Sequence, residues 1–211
     1  MQQDNGWKMV NKGKKQKKKQ DFPQPMIGKQ EAESRNSPNS FTPSFGKAES
    51  GDDIKLPYNY VLWCHDIYNK DWNLSGYTKL YTVTNVSEFW RLFNNFDKLH
   101  PKTNNFFFMR EGIDPIWEHP DNRNGGMCSF RMEMDTAPKI YEDLCVRMIC
   151  DKLTGNANDI NGVSFSPKNN WAILKIWNKD RTNDLSKTLD EYVLKAYSGF
   201  TIKYKENEPE Y

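Results

Sequence analysis

Between Leu56 and Lys205 the chain breaks into seven short runs of aromatic and β-branched residues, each bounded by Asn, Asp, Gly or Pro, and this punctuation limits the available folds most sharply. The runs are Tyr58–His65, Tyr77–Val83, Asn105–Arg110, Met127–Met134, Gly162–Ser166, Trp171–Trp177 and Thr201–Lys205. Each has the composition and length of a strand. Three other segments carry a helical period. The first follows Asn85, an N-cap residue with Glu88 placed to close a capping box, and its apolar stripe is Phe89, Leu92, Phe93 and Phe96. The second runs from Pro138 to Leu153 with Ile140, Tyr141, Leu144, Cys145 and Met148 on one face and Gly155 as its stop. The third starts near Thr182 or Asn183 and sets Leu185, Leu189, Tyr192, Val193 and Ala196 inward. Short links make sequential strands pair as antiparallel hairpins, so the expected fold is α+β, one curved antiparallel β-sheet with helices packed on a single face.

Residues 1–52 read differently. Their first fifty positions hold ten Lys or Arg and five acids among Ser, Pro, Asn and Gln, a composition that cannot offset the entropy of ordering a backbone. The expectation is a disordered basic arm at 1–52 followed by a single domain at 53–211. A cluster from Lys12 to Lys19 suits a nuclear-import signal, an electrostatic tether to RNA phosphate, or solubility alone. With no long apolar run and no secretory leader, the reading is a cytoplasmic protein with a nuclear option and no membrane partner. Cys64, Cys128, Cys145 and Cys150 match no zinc or redox spacing, which predicts reduced thiols packed as small apolar groups.

Seven tryptophans exceed what a core of this size needs. Trp72 lies among Asn69, Lys70, Asp71, Asn73 and Ser75, so it is either an exposed ring or a loop ring folded back on the core. In Gly112–Glu118 a tryptophan and a carboxylate, Trp117 and Glu118, follow the restricted backbone of Pro115. That pair can stack on a purine and accept hydrogen bonds along its edge; a turn tryptophan beside a solvated glutamate is the plainer alternative. Guanine methylated at N7 is cationic, and it gains cation–π attraction from indole faces as well as burial. Its N1–H and exocyclic amine are adjacent donors that one carboxylate can accept.

Together these stretches resemble the cap-binding translation initiation factor 4E family. The resemblance rests on YVLWCHDIYNKDW (Tyr60–Trp72), VSEFWRLFNNF (Val86–Phe96) and REGIDPIWE (Arg110–Glu118), with WAILKIWNK (Trp171–Lys179) similar to the family's late strand. It implies a sheet of about eight strands backed by three helices on its convex face, in a divergent cellular or virus-encoded member. It implies that Trp72 and Trp117 sandwich the 7-methylguanosine cap of mRNA, that Glu118 reads the guanine edge, and that Trp177 touches the N7-methyl group. The chain departs from the family where Met127 follows Gly125 and Gly126 in place of a basic residue, where Cys128 replaces tryptophan, and where Ser166 replaces arginine. Lys168 and Lys175 are the nominated phosphate partners, Lys175 sharing a strand face with Trp177, with Arg110 and Arg123 as weaker candidates.

Val86 and Trp90 flank the first helix's inward stripe, and Val146 and Cys150 stand apart from that of the second. Apolar groups so placed mark either a wide buried face or a contact surface. The resemblance assigns Val86, Trp90 and Val146, with Pro57 nearby, to an amphipathic helix of the scaffold factor 4G or a similar protein. The reading is thus a monomeric binding protein in translation initiation, without cofactor, metal or catalytic residue. Two alternatives stay open. Asp114 with Glu118, and His65, His100 and His119, offer acid–base or ligand groups, although no nucleophile motif, phosphate loop or metal spacing accompanies them. The other is a fold-related interaction protein or translational repressor with weak or altered cap affinity, working through the Trp90 surface.

Overall fold

Alternation between two faces of a single sheet organises the whole domain. The structure is a computed structural model that describes residues 53–197 and 199–208, so the basic arm at 1–52 lies outside the described residues. Its strands are β1 (Lys55–Asp66), β2 (Thr78–Asn85), β3 (Asn104–Arg110), β4 (Gly126–Glu133), β5 (Ile160–Lys168), β6 (Trp171–Asn178) and β7 (Ile202–Glu206). They pair antiparallel throughout, in the order β2-β1-β3-β5-β6-β4-β7. Each answers to one of the seven strand patterns in the sequence. The eighth strand implied by the resemblance has no counterpart among the described residues.

One face carries Tyr60, Leu62, Phe106, Phe108, Phe130, Phe165 and Leu174 into the main core, beneath the helices. Helix α1 (Val86–Phe93) begins at Asn85, whose Oδ1 accepts the Glu88 N–H at 2.7 Å. Glu88 returns its carboxylate one residue beyond the expected partner, to the Thr84 N–H and hydroxyl at 2.7 and 2.9 Å. After the four-residue α2 (Pro120–Arg123), helix α3 (Ala137–Ile149) buries Tyr141, Leu144, Cys145 and Met148. It stops short of the expected Leu153, and Asp151 rather than Gly155 takes the left-handed conformation, at φ 54°.

The third helical pattern splits into α4 (Leu185–Thr188) and α5 (Glu191–Ala196). Leu189 is extended at ψ 146°, and Asp184 and Asp190 each accept a backbone N–H at the head of their own helix. Restarting the helix changes its phase. Leu185, Leu189 and Val193 still face the core, but Tyr192 and Ala196 turn to solvent and Tyr197 is buried instead.

No cysteine is bonded to another among the described residues. Cys128 and Cys145 are buried, and burial pushes the thiols of Cys64 and Cys128 up to about 12, which keeps them unreactive. Cys150 departs from the packed role expected of it: it caps the C-terminus of α3 and is exposed. No helix among the described residues is long and apolar enough to cross a membrane.

Candidate functional site

The second face of the sheet holds a smaller apolar cluster, Val61, Trp63, Phe107, Met109, Met127 and Trp177, with Tyr77, Ile113 and Trp117 packed on it. Above it opens a cleft of about 810 Å³. Trp72, Trp117, Glu118, Trp177, Lys168 and Lys175 all line this cleft, although they come from four separate segments of the chain.

Trp72 arrives on the β1–β2 connection. Asp71 organises that loop: its carboxylate accepts from the Ser75 hydroxyl at 2.7 Å and from the Asn73 side chain and backbone at 2.8 and 3.0 Å. Those bonds, Ser75's first, hold the Asp71 carboxyl below the usual range. Gly76 closes the loop so tightly that a Cβ there would lie 1.9 Å from the Asp71 carbonyl oxygen. The Trp72 ring is 55% exposed, so the folded-back alternative does not hold. Its inner face stacks on His65, with ring centres 4.1 Å apart and planes 11° from parallel. His65 in turn donates Nε2–H to the Asp71 carbonyl at 2.8 Å, which leaves its buried Nδ1 without a partner. A ring held on one face and open on the other is a stacking platform.

Trp117 arrives on the β3–β4 connection, which approaches from the opposite end of the sheet. Gly112 makes the turn at φ 87°, where a side chain would be strained. The fully buried Asn122 then holds the loop, donating to the carbonyls of Asp114 and Ile116, both at 2.8 Å. Its own Oδ1 accepts from Asn161 at 2.9 Å and its carbonyl from Asn207 at 2.7 Å, which ties the Trp117 loop to β5 and to the residues after β7. His119 caps α2 by accepting the Asp121 N–H. Glu118 is exposed and makes no hydrogen bond or ion pair with another described residue. Its charge reaches Tyr77 across the cleft, adding to the burial that raises that phenol above its ordinary value.

Trp177 lies at the base, 3% exposed, with Nε1–H donating to the Ser164 hydroxyl at 2.9 Å and its ring edge-on to Phe107. Along the β5–β6 side the cleft turns basic. Lys175 is half-buried, and burial first, then the nearby ammoniums of Lys168 and Lys205, lower its proton affinity. Ser166 lines the same wall. Arg110 points elsewhere: its guanidinium stacks on Tyr58 at 3.9 Å, donates to the Ala157 carbonyl at 2.6 Å and borders a separate cavity of about 420 Å³. Arg123 does not line the cleft.

Sequence reasoning missed His65, Tyr77 and Asn122 as parts of the site. An aromatic residue at the end of a strand beside the Trp72 loop was a signal for the first two; nothing local distinguished Asn122. Val86 and Trp90 lie on α1, half-buried and 41% exposed respectively. Val146 on α3 is half-buried and packs partly against the main core.

The chain has relatives. Among curated proteins, the chain is 27% identical over 136 residues to the initiation factor NCBP of Oryza sativa subsp. japonica, covering 62% of this chain and 60% of that one. It is 26% identical over 139 residues to initiation factor 4E-1 of Caenorhabditis elegans, covering 61% and 64%. The matched stretch therefore spans less than two thirds of either relative. Ascaris suum eIF4E-3, solved in complex with the m7G cap, shares the fold at a TM-score of 0.63 and 18% identity, over 75% of this chain and 93% of that one. A family model described as eukaryotic initiation factor 4E matches residues 55–210, which takes in every strand and helix described above. The chain belongs to the eukaryotic initiation factor 4E family.

Proposed function

We propose that the chain binds the 7-methylguanosine 5′ cap of mRNA and acts in translation initiation as a binding protein rather than an enzyme. The observation that carries the reading is the convergence of Trp72, Trp117, Glu118 and Trp177 on one cleft. In it the cationic base stacks between the two indoles of Trp72 and Trp117, each contact of this kind being worth about 1–3 kcal/mol. Glu118, unpaired with any described residue, accepts the N1–H and amino group of guanine, and adenine has no matching pair of donors. Trp177 faces the N7-methyl group from the base of the cleft, and Lys168 and Lys175 meet the phosphates. The histidines have other work: His65 backs Trp72, His119 caps a helix, and His100 closes a turn in the left-handed conformation.

A helical partner, capped mRNA apart, fits the Val86–Trp90 face of α1 with Val146 of α3 beside the core. The scaffold factor 4G or an inhibitory 4E-binding protein has the required amphipathic helix. A second reading, an interaction protein with weak cap affinity, draws support from Met127 and Ser166, neutral residues close to the phosphate wall.

Retention on immobilised 7-methylguanosine triphosphate, with elution by the methylated but not the unmethylated nucleotide, tests the choice. Wild type should be retained, Trp117→Ala and Glu118→Ala should be lost, and Trp90→Ala should be retained while failing to bind a 4E-binding helical peptide. Wild type passing through the column would sink the cap reading and leave the interaction protein standing.

A further inference from the structure

We propose that Lys205 on β7 is a phosphate-binding residue of the cleft, completing with Lys168 and Lys175 a three-ammonium site for the polyphosphate that follows the base; this rests on the cap-binding reading above. The placement comes from the sheet. Lys205 lies directly across from Met127, and Met127 directly across from Trp177, so the three occupy one cross-strand row. Residues opposite one another in adjacent strands share a face, and this is the face of the cleft. The Lys205 ammonium stands 5.9 Å from the centre of the Trp117 ring. One row along, Lys175 lies opposite Ser129 on one side and Ser164 on the other. Met127 thus carries no charge, but the strand beside it brings a charge to the same row.

The electrostatics point the same way. Lys168 and Lys175 form no ion pair among the described residues, and Lys175 already feels the repulsion of both neighbouring ammoniums. Gathering like charges at the rim of an apolar cleft is unfavourable until a multiply charged anion joins them. The ion pair of Lys205 with Glu208, at 3.1 Å, does not compete strongly, because both side chains are more than half exposed. Glu208 instead acts as a weak placeholder that a phosphate group displaces.

Quenching of tryptophan fluorescence by 7-methylguanosine, its monophosphate and its triphosphate tests the assignment in wild type, Lys205→Ala, Lys205→Arg and Glu208→Gln. Lys139→Ala, on the helical side, controls for loss of one positive charge. Lys205→Ala should weaken the triphosphate about fivefold, the size expected for one exposed charge contact, and leave the nucleoside unchanged. Lys205→Arg and Lys139→Ala should behave as wild type, and Glu208→Gln should bind the triphosphate more tightly. Equal loss for nucleoside and triphosphate would overturn the proposal, since Lys205 would then act on Trp117; so would no loss for either. Failure of the base reading has a separate signature, equal wild-type affinity for methylated and unmethylated guanosine triphosphate, and in that event the effect of Lys205→Ala on the unmethylated triphosphate still decides.

Discussion

Asn122 sets the position of the Trp117 ring without lining the cleft. Its amide, fully buried, donates to two loop carbonyls and accepts from Asn161. Asn122→Ala should therefore cost about 2 kcal/mol of stability, the range for leaving buried polar groups without partners. Cap affinity should fall with it, although Trp117 and Glu118 are untouched. Urea denaturation and fluorescence titration measure the two effects; a loss of stability with full affinity would show that the loop holds its own shape. Lys175 offers a second handle. Its proton affinity is lowered in the fold and ordinary in the unfolded chain, so between those two values the unfolded chain binds more protons and stability rises with pH. A bound phosphate favours the ammonium. Triphosphate affinity should accordingly decline as pH rises through the lowered value, earlier than an ordinary lysine near about 10.4 would require, and Lys175→Gln should flatten that profile. The place of Glu118 on the cleft was legible in the sequence because Trp117, which lines the same cleft, is its neighbour in the chain. Asn122 was not, because its partners Asn161 and Asn207 are distant along the chain and only the finished sheet brings them close.

Elements were easier to read than their ends. The seven strands announce themselves by aromatic and β-branched runs, and the inward stripe of α1 by its spacing, since burial of Phe89, Leu92 and Phe93 follows directly from the period. The third helix misled because Leu185, Leu189 and Val193 keep helical spacing across a break. The signal was Asp190, a capping residue in mid-pattern that satisfies the Tyr192 N–H at 2.9 Å and starts a new helix. Asp190→Ala should cost about 1 kcal/mol, the usual value for an N-cap, and should loosen α5 while leaving cap retention unchanged. A shift of the urea midpoint with an unaltered cap titration would bear this out; equal loss of both would mean that α5 supports the cleft.

At the scale of the molecule, one sheet separates two tasks. The helix-covered face holds the large core, and the other keeps a small apolar floor open beneath the cleft. Lys205 belongs to this scale as well, since its relation to Trp117 and Lys175 exists only once β7 has paired with β4. The two aromatic loops come from opposite ends of the sheet, and each is fastened by its own bonds, Asp71 with Gly76 in one and Asn122 in the other. A ligand then meets walls already standing, with little chain left to order on arrival. The consequence is kinetic. Under the proposed cap binding, analogues that differ only in methylation should enter at nearly the same rate and differ in how long they stay, so that residence time, read by stopped-flow displacement, is where their discrimination should show.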